Sequence, residues 1–544
     1  MRVDRRFVLV LVAATALGLA GLGHGIFRHG DEARFVVAAR DILRGGPWLI
    51  PTTFGEPMLI KPPLFVWLIA MAGKAHGRLN EFTARLPGAL SGIVAAGAVY
   101  LLGARLFGKQ VALLAALLFS TTFGAFLLSR EVLPDMPMTA AATLAMLAAV
   151  VAGQDRRRRA AVGFAAALAL AFHFKLLAGL IPPVVTVVLV AWLRRDLQWI
   201  RSLRPVLGVL VFFALLLPWL VRIVLVPDFL TLIDTETFRG RAWSSWHSVY
   251  SSPLRALEVL VETVFPWVLL VPLAAVHLWR RRAELRQDPI LVPLVWLAVV
   301  VALNMAIHTV RWRYLLPGLP PAALVMAWAW SAETEHGRGR LGRWLSLGPL
   351  AALFLLFTSL GGVMLARAEI GLWGRALTEA SSTVAGMLAA ALWIVGGLVG
   401  LSLLERRPRW AMPLCVALVV LSLPTIELLT RAERDRPQDP RPFASLARAA
   451  AGGSTILVNS DSVRLNFYLA PPTIRLREGA LAQALAWPTG ELIIVPADRL
   501  QALQRRGALP ASVSVLQEGR YGDDHLLLVR GHLAVDRTGG IPER

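Results

Sequence analysis

Apolar stretches separated by short polar connections run through the first 430 residues. A helix that crosses a bilayer needs about 20 mostly apolar residues. About thirteen stretches meet that need, near 7–24, 83–103, 110–128, 136–153, 160–173, 176–193, 205–226, 263–279, 289–308, 314–331, 343–366, 384–404 and 410–430. The 160–173 stretch is short and suits a tilted or partly buried helix. The first stretch follows two arginines as a signal peptide would, but the GHGIFRHG after it is no small-residue cleavage site. It is therefore expected to stay as a membrane helix.

Every second connection is basic: the N-terminal MRVDRR, Arg105 with Lys109, DRRRR at 155–159, RRDLQWIRSLR at 194–204, HLWRRRAELR at 277–286, HGRGRLGR at 336–343 and ERRPR at 405–409. Positive charge marks the cytoplasmic side. The other connections, among them 25–82 and 227–262, then face the exterior, which is the periplasm in a Gram-negative cell. The fold class expected is an α-helical polytopic membrane protein of about thirteen transmembrane helices. It divides into a transmembrane part, 1–430, and a periplasmic part, 431–544.

The tail reads differently. TILVN, LIIVP, SVSVL and HLLLV are short buried strands. SVRLNFYL, EGALAQALA and ADRLQALQRR between them read as helices, so the tail is a small α/β domain. The polar, proline-rich RDRPQDPRP at 434–442 is its linker.

Composition agrees with this picture and removes two rivals. With 56% hydrophobic and 17% charged residues, the chain is neither disordered nor a coiled coil. The net charge of +21 resembles a nucleic-acid signal, but its arginines lie in the cytoplasmic connections, where they set topology. The single cysteine, Cys415, lies in an apolar stretch, so no disulfide framework is expected.

The candidate chemistry gathers on the exterior side. The connection 25–82 is far longer than two helices need, and loops of that length are often functional. It opens with HGDEARF, where Asp31 and Glu32 begin an amphipathic helix; acids there also simply suit a helix N-terminus. It closes with IKPPL, where the prolines hold Lys61 extended at the interface. That lysine either meets a phosphorylated lipid or snorkels to lipid phosphates. SREVLPDMPMTA places Arg130, Glu131 and Asp135 in a tight turn, with Asp135 at a helix start. AFHFKLLAGLIPP brings Lys175, VRWRYLLPGLPP brings Arg311, Arg313 and Tyr314, and the 227–262 connection brings Arg241. Arginine and lysine hold phosphate, and a carboxylate takes a proton from a hydroxyl nucleophile. No glycine-rich phosphate loop, HExxH or CxxC is present, so energy for synthesis must arrive with an activated donor. On the exterior face that donor is a lipid-linked sugar phosphate.

The order GDEARF, IKPPL, RExxPDMPMT, FKxxAGLIPP and RYLLPGLPP resembles the GT-C type glycosyltransferases that use polyprenyl-phosphate sugars. It is most similar to the bacterial lipid A aminoarabinose transferases and to bacterial members of the protein O-mannosyltransferase superfamily. The resemblance covers about residues 1–430, and a soluble tail after thirteen helices is similar too. It implies a GT-C fold. It further implies a catalytic or substrate-binding role for Asp31, with Glu32 beside it, and a second acidic position at Asp135. Lys61 would contact the donor phosphate, and Arg313 and Tyr314 match an aromatic-basic element. Lys175 matches the lysine of a turn in which Leu176 replaces the usual glycine. Relatives carry a glutamate before the KPP lysine and a divalent metal is attributed to it; Ile60 stands there in this chain and supplies no ligand.

The expectation is therefore an inverting inner-membrane transferase. It would pass a sugar, 4-amino-4-deoxy-L-arabinose or a sister sugar, from undecaprenyl phosphate to lipid A or a related acceptor. Its partners are membrane lipids and not nucleic acid. The rivals are a protein O-mannosyltransferase-like enzyme with a Ser or Thr acceptor and a transporter. Transporters carry repeats and charged or broken helices at the bilayer midplane, whereas the notable charges here lie on one face.

Overall fold

The structure, a computed structural model, describes residues 4–225, 255–305, 311–335, 340–365, 384–507 and 512–532, with short breaks at 29, 54–55, 59–61, 256, 461, 470–472, 477–479, 486–491 and 522–523. Within the described residues each expected apolar stretch is mostly helical. Among the described residues eight helices are long and apolar enough to cross a membrane. The pair Leu257–Val264 and Trp267–Arg280, bent by 106°, makes a ninth if it counts as one span. The chain is a multi-pass membrane protein with the helical bundle its apolar pattern foretold.

Contacts divide it into two units. The first comprises Met1–His24, Pro47–Pro51 and Met58–Thr430; the second comprises Gly25–Gly46, Thr52–Pro57 and Arg431–Arg544. In the first, Trp312–Thr334 is enclosed over 94% of its apolar window, against 17% for Pro205–Val224. With no hydrophobic drive between helices in lipid, such a central helix packs through small residues. Its buried alanines at 322, 323, 327 and 329 serve that purpose. One end of this bundle is fixed by Asp4. It caps the helix Arg5–Leu19 and accepts from Tyr100 Oη at 2.8 Å and Lys109 Nζ at 2.9 Å. Arg105 pairs with Asp155 at 3.1 Å nearby in sequence terms, where the helices Glu81–Phe107 and Asp135–Asp155 both end.

The second unit groups residues 25–46, which the expected division left with the membrane part, with the tail. The tail supplies five strands, β1 Ile456–Val458, β2 Thr473–Arg475, β3 Leu492–Pro496, β4 Ser512–Tyr521 and β5 Asp524–His532. They form one sheet of order β2-β1-β3-β5-β4. β1 runs parallel to β2 and β3, while β5 is antiparallel to β3 and β4. Strand β2 and the helix Arg441–Ala451 were not foreseen. That helix tolerates Pro442 because a proline in the first turn removes no intrahelical bond. It lays Phe443, Ala444 and Ala447 on the sheet.

Against this domain folds the helix Gly30–Leu43 of the first long connection. Ala33 and Val37 pack on Val463, with Phe467 alongside. Arg40 donates to the Asn466 carbonyl at 3.0 Å and to its Oδ1 at 2.7 Å. Arg464 donates to the Arg28 carbonyl at 3.1 Å. Phe27 meets Phe467 edge-on at 5.1 Å between ring centres. The backbone N–H of Ile26 donates to Asp435 Oδ2 at 3.2 Å, and Arg28 stands 3.5 Å from the same carboxylate. Gly25, at φ +76°, leaves no room for a Cβ beside Arg431 and Asp435. Segments about 400 residues apart thus form one domain.

The hydrogen bond from Lys109, with that from Tyr100, holds the Asp4 carboxyl down at about 2. Because the folded value is depressed, the pair's contribution is full above the ordinary carboxylate range of about 4 and fades as pH falls through about 2. Thermal midpoints of wild type and Lys109→Met should differ near neutral pH and converge near pH 2. A gap that stays constant across that range refutes the assignment.

Candidate active site

Asp135 opens the helix Asp135–Asp155 directly after Pro134, and Lys175 closes the neighbouring helix Arg158–Lys175. The two helices pack side by side. An acid at a helix N-terminus and a base at a C-terminus each complement the helix dipole. Antiparallel packing then brings the two together, and Lys175 Nζ donates directly to Asp135 Oδ1. The side chains are 17% and 2% exposed, respectively. The carboxylate is sealed in, and the ammonium keeps a path outward.

A third element completes the group. The 3-10 turn Trp312–Gly318 holds Tyr314, whose ring centre lies 4.6 Å from Lys175 Nζ. Arg313 approaches the same ring at 5.8 Å. Cations over an aromatic face gain about 0.5–2 kcal/mol, more when desolvated. The turn is fixed from behind: buried Asn304 donates to the carbonyls of Val300 at 2.8 Å and Tyr314 at 3.3 Å.

The residue after Lys175 is strained. Leu176 has φ +51° and ψ −135°, a region that glycine enters freely and other residues rarely do. Non-glycine residues at αL, such as Arg156 and Arg195, sit in a milder case. Strain of this kind costs about 1–3 kcal/mol and persists where surrounding structure dictates it. Here it lets one helix end at Lys175 and the next start at Leu177. Only Gly179 allows the second helix to close on the Ala171 backbone.

Arg130, expected to bind substrate, is buried against backbone. Its guanidinium is 3% exposed as a residue and donates to the carbonyls of Leu17 at 2.9 Å, Gly18 at 3.2 Å and Ala20 at 2.6 Å. Those carbonyls end the first membrane helix and have no intrahelical partner. Arg85, which the sequence reading passed over, does the same for Leu22 at 3.1 Å and His24 at 2.8 Å. An arginine one turn inside an apolar stretch was the available signal, since an ionisable group there needs a partner. Arg130 lies five positions before Asp135, so the anchor of the first helix also sets where the acid's helix begins.

Asp31 is half-buried on the second unit, 4.0 Å from Arg34. Glu32, expected among the binding groups, is fully buried, and its Oε2 accepts from the Arg28 backbone at 2.7 Å. It closes the start of its own helix from within. Arg311 is exposed ahead of the Tyr314 turn. Lys61, Ile60 and Arg241 lie outside the described residues. Among the described residues no group of three or more His, Cys, Asp or Glu side chains is placed to hold a metal ion.

Comparison with known proteins sets this geometry in context. A family model described as dolichyl-phosphate-mannose-protein mannosyltransferase matches residues 60–221. The chain is 25% identical over 539 residues to an undecaprenyl phosphate-alpha-4-amino-4-deoxy-L-arabinose arabinosyl transferase of Pseudomonas savastanoi pv. phaseolicola, covering 95% of this chain and 96% of that one. It is 26% identical over 416 residues to such a transferase of Pseudomonas fluorescens, covering 74% and 70%. Among solved structures, ArnT from Cupriavidus metallidurans bound to undecaprenyl phosphate superposes with a TM-score of 0.76 at 19% identity, over 97% of this chain and 98% of that one. The fold is shared across the whole length.

Removing one partner of the buried pair should be far worse than removing both. Lys175→Met leaves the Asp135 carboxylate enclosed and uncompensated, which costs about 3–5 kcal/mol, whereas Asp135→Leu with Lys175→Met should recover most of it. Thermal unfolding in detergent measures this, and losses that simply add would show the pair is not coupled. In the same assay Leu176→Gly should gain about 1 kcal/mol or more by releasing strain. A loss there contradicts the strained backbone.

Proposed function

We propose that this chain, a polyprenyl-phosphate-sugar glycosyltransferase of the GT-C type, moves 4-amino-4-deoxy-L-arabinose from undecaprenyl phosphate to lipid A or a related acceptor. The reaction takes place on the outer face of the bacterial inner membrane. The observation that carries this reading is the Lys175 ammonium, gripped from behind by a sealed carboxylate and backed by the Tyr314 ring, with Arg313 beside it. A cation so held is preorganised for an anion that gains charge during reaction. The whole-length likeness to transferases named for this donor supports the same reading.

The chemistry is a displacement at the anomeric carbon. An acceptor oxygen forms the new bond as the bond to the phosphate oxygen breaks, and that electron pair leaves with the polyprenyl phosphate. The carbon inverts. The phosphodiester becomes a monoester with an additional negative charge, and Lys175 and Arg313 stabilise that charge. Asp135 serves as the group that fixes Lys175, since its oxygen is taken by the ammonium. Lys61 contacts the donor phosphate, as the family likeness implies. Asp31 orients the acceptor or takes its proton. A phosphate acceptor is already ionised and needs little of that help; a hydroxyl needs more.

A second reading has a Ser or Thr hydroxyl as acceptor and is favoured by the match of residues 60–221 to the mannosyltransferase model. Purified enzyme with labelled undecaprenyl-phosphate aminoarabinose and lipid A tests the first reading. Lys175→Met and Asp31→Asn should each lower kcat about 10²–10³-fold. If both variants and Lys61→Ala transfer sugar at the wild-type rate, the site is misassigned. Label recovered on a protein and not on lipid A would establish the second reading.

A further inference from the structure

We infer that Asn304 is a positioning residue for the transfer step: given the role proposed for Lys175, it stations the Tyr314 ring and through that ring the ammonium. Asn304 stands one residue from the end of the helix Leu291–Met305. Every other side chain of that helix is apolar except the Trp296 indole. Val292, Trp296, Val300 and Asn304 follow at intervals of four along its buried face. An amide in such a row needs a reason, since an enclosed polar group costs stability unless all of its atoms are paired.

Asn304 is only half paired. Its Nδ2 donates to the Val300 carbonyl at 2.8 Å and to the Tyr314 carbonyl at 3.3 Å. Those two acceptors dictate which way the amide faces. Its Oδ1 is left enclosed, with no hydrogen-bond partner among the described residues. A leucine of similar shape would carry no such oxygen. Ser422 shows the contrast. Its Oγ accepts from Trp393 Nε1 at 2.8 Å and donates to the Leu418 carbonyl at 2.5 Å, as expected of a polar group that only joins two helices. Packing alone gives no account of the amide at 304. What it does that leucine cannot is hold the Tyr314 carbonyl.

That carbonyl is a sensitive point. The Tyr314 N–H donates to the Arg311 carbonyl at 2.9 Å. With Asn304 in place, both peptide groups that flank the Tyr314 Cα are fixed, and so is the direction in which its side chain leaves. The rest of the turn is seated by burial: Leu315 and Leu316 are enclosed, and a Cβ at Gly318 would lie 3.3 Å from Val300 Cγ1. The ring so aimed has its centre 4.6 Å from Lys175 Nζ. Asp135 restrains the same ammonium from the other partner position. Without the amide the peptide after Tyr314 is released, and the ammonium keeps one restraint of two. Misplacing a catalytic group by about 1 Å costs on the order of 10²-fold in rate.

The test uses the full-length protein in detergent with labelled undecaprenyl-phosphate aminoarabinose and lipid A, alongside thermal unfolding. Asn304→Leu should lower kcat at least about tenfold and leave KM within about twofold, because the leaving charge develops only in the transition state. Its unfolding midpoint should equal or exceed that of wild type. In a Tyr314→Leu background the same substitution should cost nothing further, since its route to Lys175 is gone. Ser422→Ala should do the opposite, with a lower midpoint and an unchanged kcat. A wild-type kcat in Asn304→Leu overturns the assignment. So does a kcat loss that comes with a lowered midpoint or that persists in full beside Tyr314→Leu. A wild-type rate in Lys175→Met overturns the role of Lys175 and this one with it; a slow Lys175→Met beside a fast Asn304→Leu overturns Asn304 alone.

Discussion

At the end of a membrane helix the last carbonyls have neither water nor a further turn to accept from. Two buried arginines meet that demand for the first helix. Arg130 takes Leu17, Gly18 and Ala20, and Arg85 takes Leu22 and His24. Each unsatisfied group in hydrocarbon would cost several kcal/mol. The same two residues therefore place three parts of the exterior rim: the reversal at 21–24, the start of Glu81–Phe107 and the turn that precedes Asp135. The carboxylate that fixes Lys175 therefore depends on how this one helix is finished.

Charge at that rim follows a second rule. An enclosed carboxylate persists only with a partner, and Asp135 finds Lys175 because two dipole-matched helix ends lie side by side. Burial of the pair is poor evidence for stability, since desolvation offsets most of the attraction. It is better understood as a means of aiming one ammonium. The strained backbone at Leu176 and the Asn304 bond behind Tyr314 serve the same aim from two sides. Strain concentrates where function dictates geometry.

The soluble unit shows how a long connection acquires a fixed conformation. Residues 25–46 are too few and too polar to bury a core alone. They borrow one from the tail through Val463 and Phe467 and secure it with Arg40 on Asn466 and Arg28 on Asp435. Glu32 turns inward to close its own helix, so of the adjacent acids Asp31 is the one open to solvent. A helix in which neighbours point about 100° apart makes that separation unavoidable.

The sequence by itself determined the membrane helices and the α/β character of the tail, and its basic connections set the orientation to expect. These follow from local periodicity and from charge counts, which need no knowledge of distant contacts. It also singled out Asp135, Lys175, Arg313 and Tyr314, because ionisable and aromatic groups at helix mouths are rare enough to notice. Tertiary structure alone decided what each polar group does. Arg130 and Glu32 look like site residues in one dimension and in three hydrogen-bond to backbone, while Arg85 escaped notice although it holds as much. Partner choice depends on carbonyls about 60 to 110 residues away in the chain, and no spacing rule encodes those. The same limit hid the union of residues 25–46 with the tail, for burial of an amphipathic face says that a partner exists and not which one.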